Sequence, residues 1–417
     1  MSEADISRLK ADFEAIAAIG VDPQGGWSRP AYGEAECAAH DWFAATAREA
    51  GLSERQDAFG NSVARLEGAA DLPAIAIGSH LDTVACGGLY DGALGVLAGL
   101  EVARRIARSG EARLRPLEII AFRDEEGRFG AFTGSRAMAG QLPQDAFASM
   151  RSVEGAVLGE AMEAAGFATE RADSARRDMA QIGCWLELHI EQGPVLEASG
   201  EPVGVVTAIA GQERLSIRFS GSAGHAGTTP MHLRRDALAA AARFADRFRD
   251  MILAEGENRA RGTIGIVRVS PNQGNVIPGQ VSLGLEIRDI SAPLLAHLAE
   301  RTRALAQQTA GEMSVDVACR TNYAASPVQM DERLISALDL AAREVLGRPA
   351  PHLPSGANHD AGILGALVPA AMLFVPSAGG LSHVPQEHTD WPPIADAVAV
   401  LERTARRLLA SAELPPC

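Results

Sequence analysis

The chain has few of the features that mark several large classes of protein. Its five cysteines, Cys37, Cys86, Cys184, Cys319 and Cys417, are scattered through 417 residues with no CxxC pair. That pattern excludes a disulfide-stapled secreted domain and suits a reducing compartment. Long apolar runs are missing as well: PAIAIG and AAMLFVP stop far short of the roughly 20 residues that a membrane helix needs. The opening stretch, MSEADISRLKADFEAIAAIG, lacks the basic start and unbroken apolar core of a secretory signal. A cytoplasmic protein with no membrane partner is therefore expected. Basic charge is also short. Against 53 Asp and Glu there are 38 Lys and Arg, a formal net charge of −15. Nucleic-acid binding runs on clustered Lys and Arg, so no nucleic-acid partner is expected. Low-complexity segments and short-period repeats are absent too.

What is present is ordinary globular material. Apolar residues make up 47% and charged residues 22%. The length is too great for one compact core and suits two domains. GEAECAAHDWFAATAREAG has the spacing of an amphipathic helix closed by Gly51. DLPAIAIGSHLDTV is an apolar run with a polar end, followed by the helical GVLAGLEVARRIARSG, and RPLEIIAFRDEEG repeats the pattern. Residues 141–180 are Ala-rich and predict mostly helix. CWLELHIEQGP alternates, so Trp185, Glu187, His189 and Glu191 share a face. LVPAAMLFVPSAGGLSH is again strand, loop and polar end. This alternation predicts an α/β sheet with helices on both faces, whose ligands sit beyond the carboxyl ends of the strands.

Residues 211–323 follow another rhythm. RLSIRFSG, a long amphipathic helix, GTIGIVRVSP, QVSLGLEIRDIS, a second helix and MSVDVACR give the order β-α-β-β-α-β. That order is ferredoxin-like. The expected plan is a catalytic domain of residues 1–210 and 324–417, interrupted by an inserted α+β domain of residues 211–323.

Five polar ends carry residues that bind metals. GSHLDTV offers His80 and Asp82, YDGALG offers Asp91, RDEEGRFG offers Glu125 and Glu126, ELHIEQGP offers His189, and GGLSHVP offers His383. Imidazole mixed with carboxylate suits Zn²⁺, Mn²⁺ or Co²⁺, and the absence of thiolate ligands points to a catalytic site rather than a structural one. With this many ligands, one carboxylate could bridge two ions. Each piece alone has a plainer explanation: a structural histidine, a solvated Glu-Glu pair, a turn. Their convergence on strand ends and helix starts carries the argument.

HLDTV, YDGALG, DEEGRF, ELHIEQGP, GHAGTTPM, GNVIPG and GGLSH, in this order, resemble the hydantoinase/carbamoylase family. That family lies within the dimetal aminoacylases and glutamate-type carboxypeptidases, and includes N-carbamoyl-L-amino-acid hydrolases, β-ureidopropionase and allantoate amidohydrolase. The resemblance implies two divalent ions, with Asp91 bridging them, His80 and His189 on one, and Glu126 and His383 on the other. It makes Glu125 the general base, and gives Asp82 the second N–H of His80. Gln192, His225, Asn275 and Arg288 match positions that hold the substrate or its oxyanion, and the inserted domain would act as a lid and a homodimer interface. Histidine at position 189, where exopeptidase branches carry a carboxylate, resembles the ureido-cleaving branch. The implied substrate is a small ureido or carbamoyl compound bearing a carboxylate. An N-carbamoyl-L-amino acid comes first and allantoate is the nearest alternative. An aminoacylase or dipeptidase, or a binding protein without activity, is less well matched. His359, in GANHDAG, also falls on a family segment, with Asn358 in place of its glycine and no assigned role. His40 and His297 on predicted helices, His232 at the start of one, His352 in a Pro-rich loop and His388 after the His383 segment are read as structural or surface residues.

Overall fold

The computed structural model describes residues 2–414, so Cys417 lies outside the described residues. The chain divides into two compact units, one of Met1–Thr207 with Met330–Cys417 and the other of Ala208–Gln329.

In chain order, the first strands are β1 (Ser53–Gln56), β2 (Ser62–Leu66), β3 (Ala74–His80) and β4 (Leu117–Phe122), then β5 (Ile182–Ile190) and β6 (Gly204–Ile209). β7 (Gly211–Ser220), β8 (Gly224–His225), β9 (Arg261–Ser270), β10 (Val276–Ile277), β11 (Gln280–Asp289) and β12 (Asp316–Ala325) follow. The last are β13 (Val328–Gln329), β14 (His352–Ser355) and β15 (Ala370–Val375).

The large sheet runs β1-β2-β4-β3-β5-β15-β6-β13, with β14 also against β6. Its middle is parallel, β4 to β3, β3 to β5 and β5 to β15, and the flanking pairings of β2 and β6 are antiparallel. Every residue of β3, β4 and β15 is buried. Burial on both faces is what a parallel sheet covered by helices requires, and it explains why these strands read as unbroken apolar runs. One face packs Ile75, Ile77, Ile119, Leu186 and Leu373 against residues of the helices Ala93–Ser109 and Trp391–Leu409. On the other, the short helix Asp360–Leu364 meets β5, where the Ala361 N–H donates to Glu187 at 2.8 Å. The parallel arrangement has one consequence for chemistry: the carboxyl ends of four adjacent strands open along one edge.

The smaller unit is a four-stranded antiparallel sheet in the order β12-β7-β11-β9. Leu215, Ile217 and Phe219 of β7 and Val281, Leu283, Leu285 and Ile287 of β11 alternate into a core with Phe244 and Phe248 of the helix Ala237–Glu255. The helix Ala292–Glu312 completes that layer with Leu295 and Leu298. The opposite face of β11 carries Ser282, Gly284, Glu286 and Arg288, all part-exposed.

Two local expectations differ from the structure. Residues 141–180 hold only the short helices Ala146–Ser149 and Leu158–Ala164 and the 3₁₀ turns Thr169–Ala175 and Met179–Gln181. Gly155 and Gly166, both at φ 90°, interrupt the alanine-rich pattern, and local punctuation overrides propensity there. His352 opens a strand instead of sitting in a loop. Among the described residues, no helix is long and apolar enough to cross a membrane.

Candidate metal centre

Each of the four parallel strands delivers candidate ligands at its carboxyl end. His80 is the last residue of β3, Asp124–Glu126 follow β4, His189 lies one residue from the end of β5, and His383 stands in the loop after β15. Asp91 comes from the turn that starts the helix Ala93–Ser109, where the helix dipole favours a carboxylate.

The two oxygens of Asp91 face different groups. Oδ1 lies 3.1 Å from His189 Nε2 and 3.6 Å from His80 Nε2. Oδ2 lies 3.1 Å from His383 Nε2, which in turn is 3.4 Å from a Glu126 carboxylate oxygen. Two sets, His80–Asp91–His189 and Asp91–Glu126–His383, each bring their ligand atoms within 4.8 Å of one another. Asp91 belongs to both, which is the geometry of a bridging carboxylate.

The imidazoles are oriented for this. His189 Nδ1 lies 2.8 Å from the Ile190 carbonyl and His80 Nδ1 lies 3.1 Å from the Asp82 carbonyl. Donating Nδ1–H to those acceptors leaves each Nε2 lone pair aimed inward. The Asp82 carboxylate is 3.5 Å from the same Nδ1 and also accepts from the backbone N–H groups of Glu125, at 3.2 Å, and Glu126, at 3.0 Å. Asp82 therefore fixes the two-glutamate turn and lends His80 its main-chain oxygen. Glu125 sits above the first set, with a carboxylate oxygen 3.6 Å from His80 Nε2.

The backbone is held in uncommon conformations at these points. Asp124, Gln192 and His383 all have φ between 55° and 60°. Non-glycine residues in that region are costly and cluster at functional sites. Asp124 is stabilised by the Thr133 hydroxyl, 2.6 Å from its carboxylate. Arg123 just before it is fully buried, paired with Glu36 and donating to the Gly60 carbonyl at 2.7 Å.

Charge supplies the test of whether cations fit. The groups facing these carboxylates are imidazoles, and burial pushes Glu125 well above the usual carboxylate range and Glu126 up to about 7. Asp91 behaves in the opposite way. Burial would raise it, but the adjoining imidazoles of His189, His383 and His80 hold it well below its usual value. Buried acids stacked around a shared center are costly without a counter-charge. An oxygen- and nitrogen-rich set of this kind fits divalent ions.

Gln192 also belongs here, its amide donating to Asp91 Oδ2 at 2.8 Å. His359 is buried, bonded through Nε2 to Ser355 at 2.8 Å, and its ring meets the His189 ring edge to face at 4.5 Å. It packs the ligand in place from behind. His225, Asn275 and Arg288 belong to the smaller unit. There the N–H of Ala226 donates to the Asn275 carbonyl at 2.9 Å, so His225 and Asn275 lie together on the β8–β10 ribbon. Arg288 is on the open face of β11, with Nε donating to Glu286.

Three residues of the larger unit escape the sequence reading. Glu187, buried under His189, accepts from Ser79, Trp185 and Ala361. Its place on the His189 face was visible in the alternation, but nothing marked it as buried. Ser382 and Glu387 lie beside Asp91 with no signal in the sequence beyond proximity to His383.

A family model for peptidase family M20/M25/M40 matches residues 76–407. The N-carbamoyl-L-amino acid amidohydrolase of Geobacillus stearothermophilus is 40% identical over 405 residues, 96% of this chain and 98% of that one. The allantoate amidohydrolase of Bacillus subtilis is 36% identical over 382 residues, 90% of this chain and 91% of that one. The crystal structure of a hydantoinase/carbamoylase family amidase from Burkholderia multivorans aligns with a TM-score of 0.90 at 33% identity, covering 97% of this chain and 98% of its own. The chain belongs to the peptidase family M20/M25/M40, in its hydantoinase/carbamoylase group.

Gly92 tests the geometry. It has φ 65°, and a Cβ there would lie 2.4 Å from the His80 ring. Gly92→Ala combines backbone strain on the order of 1–3 kcal/mol, from its sparsely populated φ 65°, ψ −52° conformation, with displacement of the imidazole. The expected outcome is a folded protein with a lower melting temperature and weaker ion retention by elemental analysis. Unchanged retention would show that His80 is not held as described.

Proposed function

We propose that the chain hydrolyses the ureido C–N bond of an N-carbamoyl-L-amino acid, giving the amino acid, CO₂ and ammonia. An amidohydrolase acting on C–N bonds other than peptide bonds is the class that the family assignment supports. The observation that carries the hydrolytic reading is Asp91, whose two oxygens serve two ligand sets. Its first set uses His189, the residue type that resembles ureido-cleaving members. Allantoate is the second reading, supported by the Bacillus subtilis relative.

His80, His189 and Asp91 would hold one ion, and Asp91, Glu126 and His383 the other, with Zn²⁺, Mn²⁺ and Co²⁺ all suited to the set. Ions bound there supply Lewis acidity toward a carbonyl oxygen and make water more acidic. Glu125 accepts a proton from the attacking water and returns it to the departing nitrogen. Asp82 keeps Glu125 in place through the backbone of the turn. Gln192, His225, Asn275 and Arg288 would hold the substrate, with the Arg288 guanidinium as a two-pronged partner for its carboxylate. The scattered cysteines, none of them paired among the described residues, support a cytoplasmic location.

An ammonia-release screen over N-carbamoyl-L-amino acids, β-ureidopropionate, allantoate and ureidoglycolate tests the substrate. Turnover of a carbamoyl amino acid should stop on chelation and return with Mn²⁺, Co²⁺ or Zn²⁺. Exclusive turnover of allantoate would replace the first reading with the second. Full activity in metal-free protein would remove both.

Glu125→Gln separates base from ligand. It should retain both ions and lose about 10²- to 10⁴-fold in kcat, the range for a positioned acid–base group. Loss of an ion would make Glu125 a ligand, and near-normal turnover would remove it from the mechanism.

The same reading includes a homodimer paired through the smaller unit, where β9 and β12 are the outer strands of the sheet and offer backbone groups for pairing. Light scattering at micromolar concentration should give twice the chain mass, and a monomer mass would rule this out.

A further inference from the structure

Glu387 is buried, at 5% exposure, in a loop that the catalytic reading leaves without a role. Its Oε1 accepts the backbone N–H of Tyr90 at 2.9 Å and that of Asp91 at 3.0 Å. Its Oε2 lies 2.8 Å from the hydroxyl of Ser382, which also lies 2.9 Å from Asp91 Oδ2. One carboxylate, 296 residues beyond Asp91 in the chain, thus ties the turn carrying the shared ligand to the loop carrying His383. The surroundings are shaped for it. A Cβ on Gly88 would lie 2.0 Å from the carboxylate carbon of Glu387, so this glycine clears the space it occupies.

The two ligand sets differ in how much help they need. His80 and His189 are 2% exposed at their side chains, and main-chain carbonyls orient both rings. The His383 side chain is 50% exposed, and its backbone sits at φ 60°. The tie through Ser382 is attached to the residue immediately before it.

We propose that Glu387 is a positioning residue for the second ion, holding Asp91 and the strained Ser382–His383 segment in register through hydrogen bonds. This rests on the two-ion reading above. Glu387 touches neither the reacting atoms nor an ion. It acts through Asp91 and Ser382.

The proposal makes different demands on two substitutions. Glu387→Gln keeps an oxygen for the two backbone N–H groups and presents an amide N–H to Ser382 Oγ, which can accept. Glu387→Ala removes all three contacts. Apo-protein prepared by chelation is titrated with Co²⁺, followed by its visible absorption, and with Mn²⁺, followed by elemental analysis after dialysis. Wild type should bind two ions. Glu387→Ala should keep the first near its wild-type affinity and bind the second about 10- to 100-fold more weakly, the usual loss when an outer partner of a ligand is removed. Glu387→Gln should retain most of the second affinity. Ser382→Ala, a milder change, should weaken the second ion alone and carries the decision should the alanine variant at 387 not fold.

Two tight ions in both Glu387→Ala and Ser382→Ala would overturn the proposal. Equal loss in Glu387→Gln and Glu387→Ala would overturn it as well, because the charge would then matter and the hydrogen bonds would not. Parallel weakening of both ions would reduce Glu387 to a general support of the fold. Wild type that binds fewer than two ions would defeat the two-ion reading itself, and with it the role of Glu387.

Discussion

The site depends on one carboxylate facing two ways. Asp91 presents Oδ1 to His80 and His189 and Oδ2 to His383, and the set with the half-exposed His383 imidazole leans on it most. Much of the surrounding structure serves to hold it in place. Gly92 gives the following backbone a left-handed turn with no side chain to strike His80, the amide of Gln192 meets Oδ2, and buried Glu387 grips the peptide N–H of Asp91 itself. A parallel sheet makes this possible, because β4, β3, β5 and β15 end side by side and present their loops to a common point.

The energetics run against the fold and in favour of the chemistry. Burying several acids raises their proton affinity, and left-handed backbone at Asp124, Gln192 and His383 adds strain. The costs are met locally by hydrogen bonds to the strained segments, such as Thr133 on Asp124 and Ser377 on the N–H of Gln192 at 3.0 Å. A site destabilised in this way is stabilised by its own ligand. Ions bound to the native arrangement and absent from the unfolded chain should add to stability by mass action.

The candidate ligands could be picked out in the sequence because their types and positions agree. His80, Asp91, Glu125, Glu126, His189 and His383 all follow apolar runs or open helices, and an α/β sheet brings such places together. The inward positions of β7 and β11 were equally legible from strict alternation. What stayed hidden depends on contacts between distant loops. Glu387 looks like any acid in a polar loop, and only the packing of its segment against Tyr90 and Asp91 buries it. Asp82 was recognisable as a partner of His80, yet which of its oxygens does the work follows from the path of the turn. In residues 141–180, alanine content suggested helix while two glycines at φ 90° set the actual course.

The pairing of β15 with β5 has a consequence for how the protein is made. Ala370 lies beside Trp185 in the sheet, so the middle of this sheet waits for a strand translated long after its neighbour. On the ribosome, β3, β4 and β5 emerge first and His80, Glu126 and His189 exist before the last ligand does. The chain then completes the smaller unit before β15 and His383 arrive. Long-range parallel pairing is slow to form and leaves apolar strand edges open in the meantime. The nascent chain thus carries an unfinished sheet, with β5 lacking one neighbour from Ile190 until Ala370 has been made. The His80–Asp91–His189 set is thus complete in the chain well before the set that needs His383.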